Sequence, residues 1–225
     1  IALGILSIYP IAREIGRPIS EAVTCRNGEI LDGSRPEARP IYEVNLWSDG
    51  TGNGGGGGPQ SLTLLIHHWK SRAAVNSTCE IEEHHQRGAR QIRLLLDEWL
   101  LDEPSRDVVV LGDFNATERE VAMSAELNAS VNQSDLTTSL SLYNLWGELG
   151  VGQAQSDTTF NSSYRYENEW LRLDHILIPK GMTTPEAGGW TLSGFELIRT
   201  APLVGRNGAP FSWSSRNQDG YSDHF

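Results

Sequence analysis

The stretch Val108-Val-Val-Leu-Gly-Asp-Phe-Asn115 decides the fold class, because it joins a short apolar run to residues that suit the end of a strand. A continuous apolar run of this length is typical of a fully buried central strand. Such a strand that runs into Gly, Asp and Asn carries those side chains to the edge of the sheet, where a site can form. We therefore predict a central strand over 108–111 and a candidate site at Asp113 and Asn115.

The flanking sequence predicts further strands and one long helix. Apolar patterns predict strands at residues 1–8, 41–47, 61–68, 171–178 and 191–198. Residues 80–101 carry apolar side chains at spacings of three or four, which predicts an amphipathic helix. Weaker helical or loop segments are expected at 117–128 and 139–149. No linker separates two cores, so we predict one α/β domain.

Composition excludes several classes of protein. The 225 residues are 38% hydrophobic and 21% charged, which is not the composition of a disordered chain. No apolar run approaches the roughly 20 residues of a membrane-spanning helix. The formal net charge of −11 argues against a nonspecific grip on nucleic acid, which depends on Lys and Arg.

Polar residues with catalytic potential recur near the predicted strand ends. His67 and His68 end one strand, Asp174 and His175 lie within another, and the chain closes on Ser-Asp-His224. Each pattern alone has an ordinary explanation, such as an Asp-X-Asn turn or a packed histidine. All four motifs in this order are much harder to obtain by chance.

The motifs His68-Trp-Lys-Ser71, Gly112-Asp-Phe-Asn115, Leu173-Asp-His-Ile-Leu177 and Ser222-Asp-His224 resemble the endonuclease/exonuclease/phosphatase superfamily. This superfamily includes pancreatic-type deoxyribonucleases, abasic-site endonucleases, neutral sphingomyelinases and inositol polyphosphate 5-phosphatases. The segment Ile5-Leu-Ser-Ile-Tyr-Pro10 is similar to an early family segment, with Ile8 in place of Arg. The resemblance implies a four-layer α-β-β-α sandwich, in which two mainly antiparallel sheets are flanked by helices.

The resemblance also implies catalytic roles. His224 would be the general base that takes a proton from the attacking water, and Asp174 would hydrogen-bond it and stabilise its charged form. His68 would donate to a phosphate oxygen or stabilise the transition state. Asp113 would orient the water or touch a metal ion. Phosphodiester cleavage needs a base and groups that offset the developing negative charge, and this set supplies both.

Phosphate-binding and metal-binding residues follow from the same resemblance. Asn115 would donate to the substrate phosphate, and Arg39 would contact phosphate or His68, although a surface Arg is an equal alternative. Asp223, with Asp113, would hold a divalent cation. Mg²⁺ suits carboxylate oxygens, with Mn²⁺ or Ca²⁺ as alternatives.

One feature of the family pattern is missing from the sequence. The main metal ligand of the family is a Glu near the N-terminus, accompanied by an Asn on the first strand, and neither Glu14 nor Glu21 lies in a matching context. We therefore expect an incomplete metal site, and interpret the chain as a fragment that lacks the N-terminal strands and the last strand of a single domain over residues 1–225.

Several alternatives stay open. Cys25 and Cys79 are either unrelated small residues or a disulfide pair. A metal cluster of His67, His68, His84 and His85 is conceivable, but a half-buried helix face is the better interpretation. Tyr164, Arg165 and Trp170 would line a substrate cleft or simply pack a loop.

The predicted function is metal-dependent phosphodiester hydrolysis of the nuclease type, on DNA or RNA. A phosphatase or lipid phosphodiesterase would share every catalytic residue named above. A binding module without catalysis is the third hypothesis, and its support is the missing Glu. The sequence predicts no membrane span and does not indicate an oligomeric state or a compartment, although a secreted or periplasmic protein is compatible with it.

Overall fold

The computed structural model describes residues 14–15, 23–24, 30–31, 41–48, 60–72, 78–151, 161–184 and 189–225. The strand predicted at 1–8, Arg39 and Cys25 lie outside the described residues. The other candidate site residues lie within them.

Eleven described strands and one long helix form the fold. The strands are β1 Glu14–Ile15, β2 Val23–Thr24, β3 Ile30–Leu31, β4 Ile41–Ser48, β5 Gln60–His68, β6 Val108–Asp113, β7 Ala129–Ser130, β8 Leu142–Asn144, β9 Tyr164–Tyr166, β10 Glu169–Leu171 and β11 Asp174–Pro179. The helix α1 spans Thr78–Asp102. Seven strands form one sheet in the order β1-β4-β5-β6-β11-β8-β7, while β9 pairs with β10 and β2 with β3.

The large sheet is mixed but mainly antiparallel. The pairs β5–β6 and β7–β8 are parallel, and the other pairs of this sheet are antiparallel. A parallel pair needs a crossover connection, and α1 provides it between β5 and β6. The predicted α/β class is thus confirmed.

Helix α1 covers one face of the sheet, as its apolar periodicity predicts. Ile92 and Leu96 are fully buried against Leu65 of β5 and Val110 of β6. Burial of one such side chain contributes about 1.5–3 kcal/mol, so this layer fixes the two central strands firmly. The opposite face carries a second apolar cluster around Tyr143 and Ile178.

The segment predicted as one strand at 171–178 is two strands. The chain leaves the β9–β10 ribbon after Leu171 and enters the large sheet at Asp174. The break has a physical cause: the Leu173 carbonyl accepts a hydrogen bond from Phe114 N at 2.8 Å, and the Arg172 guanidinium turns to Glu118. The prediction of strand structure was therefore right, but the prediction of one continuous strand was wrong.

The strand predicted at 191–198 is wrong for the described chain. A strand needs a hydrogen-bonded neighbour, but this segment lies against the face of the sheet, where Phe195 contacts the Trp146 ring with centroids 5.6 Å apart.

The two segments predicted as helix or loop contain short helical turns and one strand. Residues 139–149 form β8 followed by a 3₁₀ helix at Leu145–Leu149, and 117–128 contains a π-helical turn at Ala122–Glu126.

Two further observations concern the cysteines and the absence of a predicted membrane span. Cys79 is disulfide-bonded, which removes the hypothesis that it is an isolated small residue. Among the helices of the described residues, none has the length and apolar character needed to cross a bilayer.

Candidate active site

Three of the predicted site residues lie in one row across neighbouring strands. His68 ends β5 and is paired with Asp113, the last residue of β6. Asp113 is in turn paired with Asp174, the first residue of β11. Directly paired residues point to the same face of a sheet, so these three side chains converge although they are far apart in the sequence.

The next row faces helix α1 and shows why Gly112 is required. Gly112 is paired with His67 on one side and His175 on the other. Its φ of +145° lies where side chains are rarely accepted, and a Cβ added there would lie 1.8 Å from the His67 carbonyl oxygen. Glycine therefore allows β5 and β6 to approach closely just before Asp113.

His175 ties three segments together beneath the site. Its Nε2–H donates to the Ala116 carbonyl at 2.8 Å, and its Nδ1 accepts from the Asn144 amide at 2.9 Å. Burial lowers the pKa of His175, which agrees with a neutral ring of this tautomer. His175 thus acts in packing, and does not face the site.

His224 reaches the row from the C-terminal segment. Its Nδ1 donates to Asp174 Oδ2 at 2.6 Å, and both side chains are partly exposed. Burial alone would lower the pKa of His224, but the hydrogen bond to Asp174 and the charges of the neighbouring aspartates raise it above 6.5. The hydrogen bond assigns the proton to Nδ1, so the basic atom of the neutral ring is Nε2.

Asp113 is the most strongly perturbed carboxyl group of the site. Burial, followed by the negative charge of Asp174, raises the pKa of Asp113 to about 6. Asn115 donates to it twice, from its backbone N at 2.9 Å and from its side-chain Nδ2 at 3.0 Å. His68 Nε2 lies 3.3 Å from Asp113 Oδ2. We call His68, Asp113, Asp174 and His224 the carboxylate–histidine cluster.

The cluster opens onto a cavity of about 530 Å³, which Asp223 also lines. Four acidic residues therefore line one space, namely Asp113, Asp174, Glu196 and Asp223. None of the described residues that line it is Lys or Arg. This excess of negative charge, together with oxygen ligands, fits a hard divalent cation such as Mg²⁺.

The short distance between His224 and Asp174 separates two possible uses of the cluster. Ligand atoms from Asp113, Asp174 and His224 lie within 4.8 Å of one another, as in a metal site. However, two ligands of one Mg²⁺ at about 2.1 Å from the ion lie about 3 Å apart. The observed 2.6 Å between His224 and Asp174 instead fits a shared proton.

Asn115 has a different set of partners from the one the family resemblance implies. Its two amide hydrogens are directed to Asp113 and to the Trp69 carbonyl, the latter at 3.2 Å. It therefore orients the Asp113 carboxylate, and a bond to phosphate would require one of these contacts to be exchanged.

The remaining histidines do not join the cluster. His67 is buried beside Trp69, and His85 stacks on Trp69 while its Nε2–H donates to the Lys70 carbonyl at 2.9 Å. In the described part of the chain, the conceivable metal cluster of His67, His68, His84 and His85 does not form.

Sequence reasoning missed the buried ion pair that supports the site. Arg172 donates to both carboxylate oxygens of Glu118, from Nη2 at 2.9 Å and Nε at 3.2 Å. Burial alone would raise the pKa of Glu118, but Arg172 lowers it below its ordinary value. The pair joins the loop after Asn115 to the residue preceding Leu173-Asp174. No pattern in the sequence links two charges 54 positions apart.

Comparison with known proteins adds a family match. The model of the endonuclease/exonuclease/phosphatase family matches residues 20–224. The sequence matches no curated protein.

Solved structures that are similar to this chain include three proteins. The human Nocturnin catalytic domain is 15% identical with a TM-score of 0.44, and the match covers 76% of this chain and 48% of that one. Sphingomyelinase C from Streptomyces griseocarneus is 21% identical, with a TM-score of 0.36 and coverage of 65% and 44%. The Xenopus laevis APE2 catalytic domain is 13% identical, with a TM-score of 0.42 and coverage of 63% and 46%. The chain thus spans less than half the length of these structures.

Proposed function

Because the chain belongs to the endonuclease/exonuclease/phosphatase family, we propose that it is a divalent-metal-dependent phosphodiesterase of the nuclease type. The observation that carries the proposal is the hydrogen bond between His224 and Asp174 beside the Asp113 carboxylate. A histidine oriented by one carboxylate and facing another is suited to activate water next to a cation.

In the proposed reaction, water attacks the phosphorus of a phosphodiester while His224 Nε2 accepts its proton. Asp174 holds the ring in the required tautomer and stabilises the imidazolium that forms. The bond from phosphorus to the leaving oxygen breaks and the leaving oxygen takes up a proton from solvent, which yields a phosphomonoester and an alcohol. His68 stands beside Asp113, where its N–H donates to a phosphoryl oxygen as negative charge develops.

The cation would be held by the carboxylates of Asp113 and Asp223. When bound, it supplies positive charge that offsets the charge on the phosphoryl oxygens. Asn115 keeps the Asp113 carboxylate in one orientation through its two hydrogen bonds. Asp113 would thereby be presented to the cation in a fixed orientation.

Replacement of the proposed base is the direct test. In the full-length protein, His224→Ala should lower kcat on DNA and on a generic phosphodiester by about 10²–10⁴-fold in the presence of Mg²⁺. Added imidazole should restore part of this activity, because a free base can occupy the vacated space. His84→Ala, a histidine on helix α1, is the matched control and should retain activity. Full activity of His224→Ala would refute the assignment.

A second candidate function is hydrolysis of small phosphate esters. It is favoured by the net charge of −11 and by a described cavity lining without Lys or Arg. A panel of DNA, RNA, a phosphomonoester and a choline phosphodiester distinguishes the two. Affinity for DNA falls steeply with added salt, because binding releases counterions. A reaction on a small ester that is insensitive to salt would support the second candidate.

A noncatalytic binding module is the remaining outcome. It would follow if no member of the panel is hydrolysed with Mg²⁺, Mn²⁺ or Ca²⁺ while the protein still binds a phosphate ester. That result would refute both enzymatic candidates.

A further inference from the structure

The C-terminal residues extend the small β9–β10 ribbon. Tyr164 and His224 form an antiparallel β-bridge, and Phe225 N donates to the Ser163 carbonyl at 2.8 Å. Residues 224–225 therefore lie beside residues 163–164, joined to them by one β-bridge and one further backbone hydrogen bond. The position of His224 in the site is consequently set by this ribbon as well as by Asp174.

The two faces of the ribbon carry different side chains. The rings of Tyr164 and His224 lie on one face, with centroids 4.5 Å apart and planes inclined by 32°. Successive residues of a strand point to opposite faces. Arg165 and its cross-strand partner Trp170 therefore lie on the other face, together with Phe225.

Arg199 joins the elements of this second face. Its guanidinium carbon lies 4.8 Å from the centroid of the Trp170 ring and 4.6 Å from that of Phe225. Its Nη2 donates to the Gly208 carbonyl at 2.8 Å. A guanidinium at these distances is attracted to the face of each ring, so one cation binds β10, the C-terminal segment and the loop near Gly208 together.

We propose that Arg199 is a positioning residue, which connects Phe225 to Trp170 through its guanidinium and thereby fixes the adjacent His224 in register with Asp174. The effect of Arg199 on kcat rests on the proposed function, whereas its effect on the position of His224 does not. Arg199 lies on the ribbon face opposite the rings of Tyr164 and His224, and it contacts Phe225, the residue next to His224. A small displacement of His224 would lengthen its hydrogen bond to Asp174 and move Nε2 away from the substrate.

The alternative is that Arg199 only packs the loop that contains Gly208. A packing role lowers stability, and leaves the kcat of the folded molecules unchanged. A positioning role lowers kcat with little change in KM, because the substrate contacts are retained. It also predicts partial rescue by a lysine, which keeps a cation beside the rings.

The test uses three variants of the full-length protein, assayed where circular dichroism shows each to be folded. Arg199→Met should lower kcat roughly tenfold to hundredfold with KM nearly unchanged, and Arg199→Lys should recover part of the loss. Arg206→Met is the matched control, since Arg206 is exposed on the same C-terminal segment, and should match the wild type. If Arg199→Met does not fold, Phe225→Leu removes the ring next to His224 and should give the same loss of kcat.

A spectroscopic measurement separates this inference from the proposed function. The His224 Nδ1 proton, hydrogen-bonded to Asp174, should give a downfield NMR resonance in the wild type that is lost or broadened in Arg199→Met. Loss of this resonance in a protein that hydrolyses no phosphate ester would uphold the positioning role and refute the function. A wild-type resonance and a wild-type kcat in folded Arg199→Met, or in folded Phe225→Leu, would overturn the inference.

Discussion

His224 Nδ1 donates to Asp174 Oδ2 at 2.6 Å, although the two residues are 50 positions apart in the chain. Asp174 is held in the sheet by its pairing with Asp113, while His224 is brought in by its bridge to Tyr164. The hydrogen bond is therefore the point at which the sheet and the C-terminal segment meet. Its strength depends on the position of both elements.

Removal of the Asp174 charge should impair the proposed base more than it impairs folding. Asp174→Asn keeps the size of the side chain but no longer stabilises an imidazolium, and its amide can stabilise the wrong tautomer of His224. We expect kcat to fall by about 10³–10⁴-fold, as for other carboxylate–histidine pairs, with a small change in the free energy of unfolding measured in urea.

The control for this variant is Asp219→Asn, since Asp219 is an exposed carboxylate on the same C-terminal segment as His224. It should hydrolyse phosphodiesters at the wild-type rate. Equal losses in the two variants would point to a general effect of charge and against a specific role of Asp174.

The pH dependence of kcat/KM should report a histidine of raised pKa. Burial alone would lower the pKa of His224, but Asp174 and the nearby aspartates raise it above 6.5. A base acts in its neutral form, so kcat/KM should increase with pH through a value above 6.5. In Asp174→Asn this acidic limb should move to lower pH. A limb that stays in place would show that another group controls the rate.

The central part of the fold was accessible from the sequence, because burial imposes periodic patterns on it. The run Val108-Val-Val-Leu111 predicted β6, and the spacing of Ala89, Ile92 and Leu96 predicted the buried face of α1. Polar residues next to these patterns, such as Asp113, were predicted as site residues since the strand carries them to the edge of the sheet.

Contacts between distant segments leave no periodic signal, and these were not predicted. The strand break at Arg172 depends on Glu118. The segment that contains Phe195 is apolar because it packs on Trp146, and it forms no strand. Arg199 resembles any isolated Arg until Trp170 and Phe225 are placed beside it. The pairing of Asp174 with His224 was implied by the family resemblance, and residue patterns alone would not have given it.

A divalent cation should stabilise the protein more at neutral than at acidic pH. The pKa of Asp113 is raised to about 6 from 3.8, so the folded state binds the proton more tightly than the unfolded state. Without a cation, the contribution of Asp113 to stability therefore falls as pH rises from about 4 to about 6. A bound cation offsets the charge that causes this loss, and competes with the proton.

Thermal unfolding measures the effect directly. The increase in Tm produced by millimolar Mg²⁺ should be larger at about pH 7.5 than at about pH 5.5, and should be lost in Asp113→Asn. Asp219→Asn should retain the increase. An equal shift in all three proteins would indicate a cation effect away from the cluster.

Replacement of Gly112 should be strongly destabilising, because two constraints act on it: a positive φ and a close neighbouring backbone. An added Cβ would lie 1.8 Å from the His67 carbonyl oxygen at a φ of +145°, so Gly112→Ala must separate β5 from β6 and displace Asp113. We expect a loss of more than about 3 kcal/mol in the free energy of unfolding and loss of hydrolysis in any folded fraction. Gly150 also has a positive φ, 75°, but nothing lies within 4 Å of an added Cβ. Gly150→Ala should therefore lower the free energy of unfolding by only about 1–2 kcal/mol and leave activity intact. Urea unfolding of the two variants then compares the effect of backbone strain alone, at Gly150, with that of strain combined with a steric clash, at Gly112.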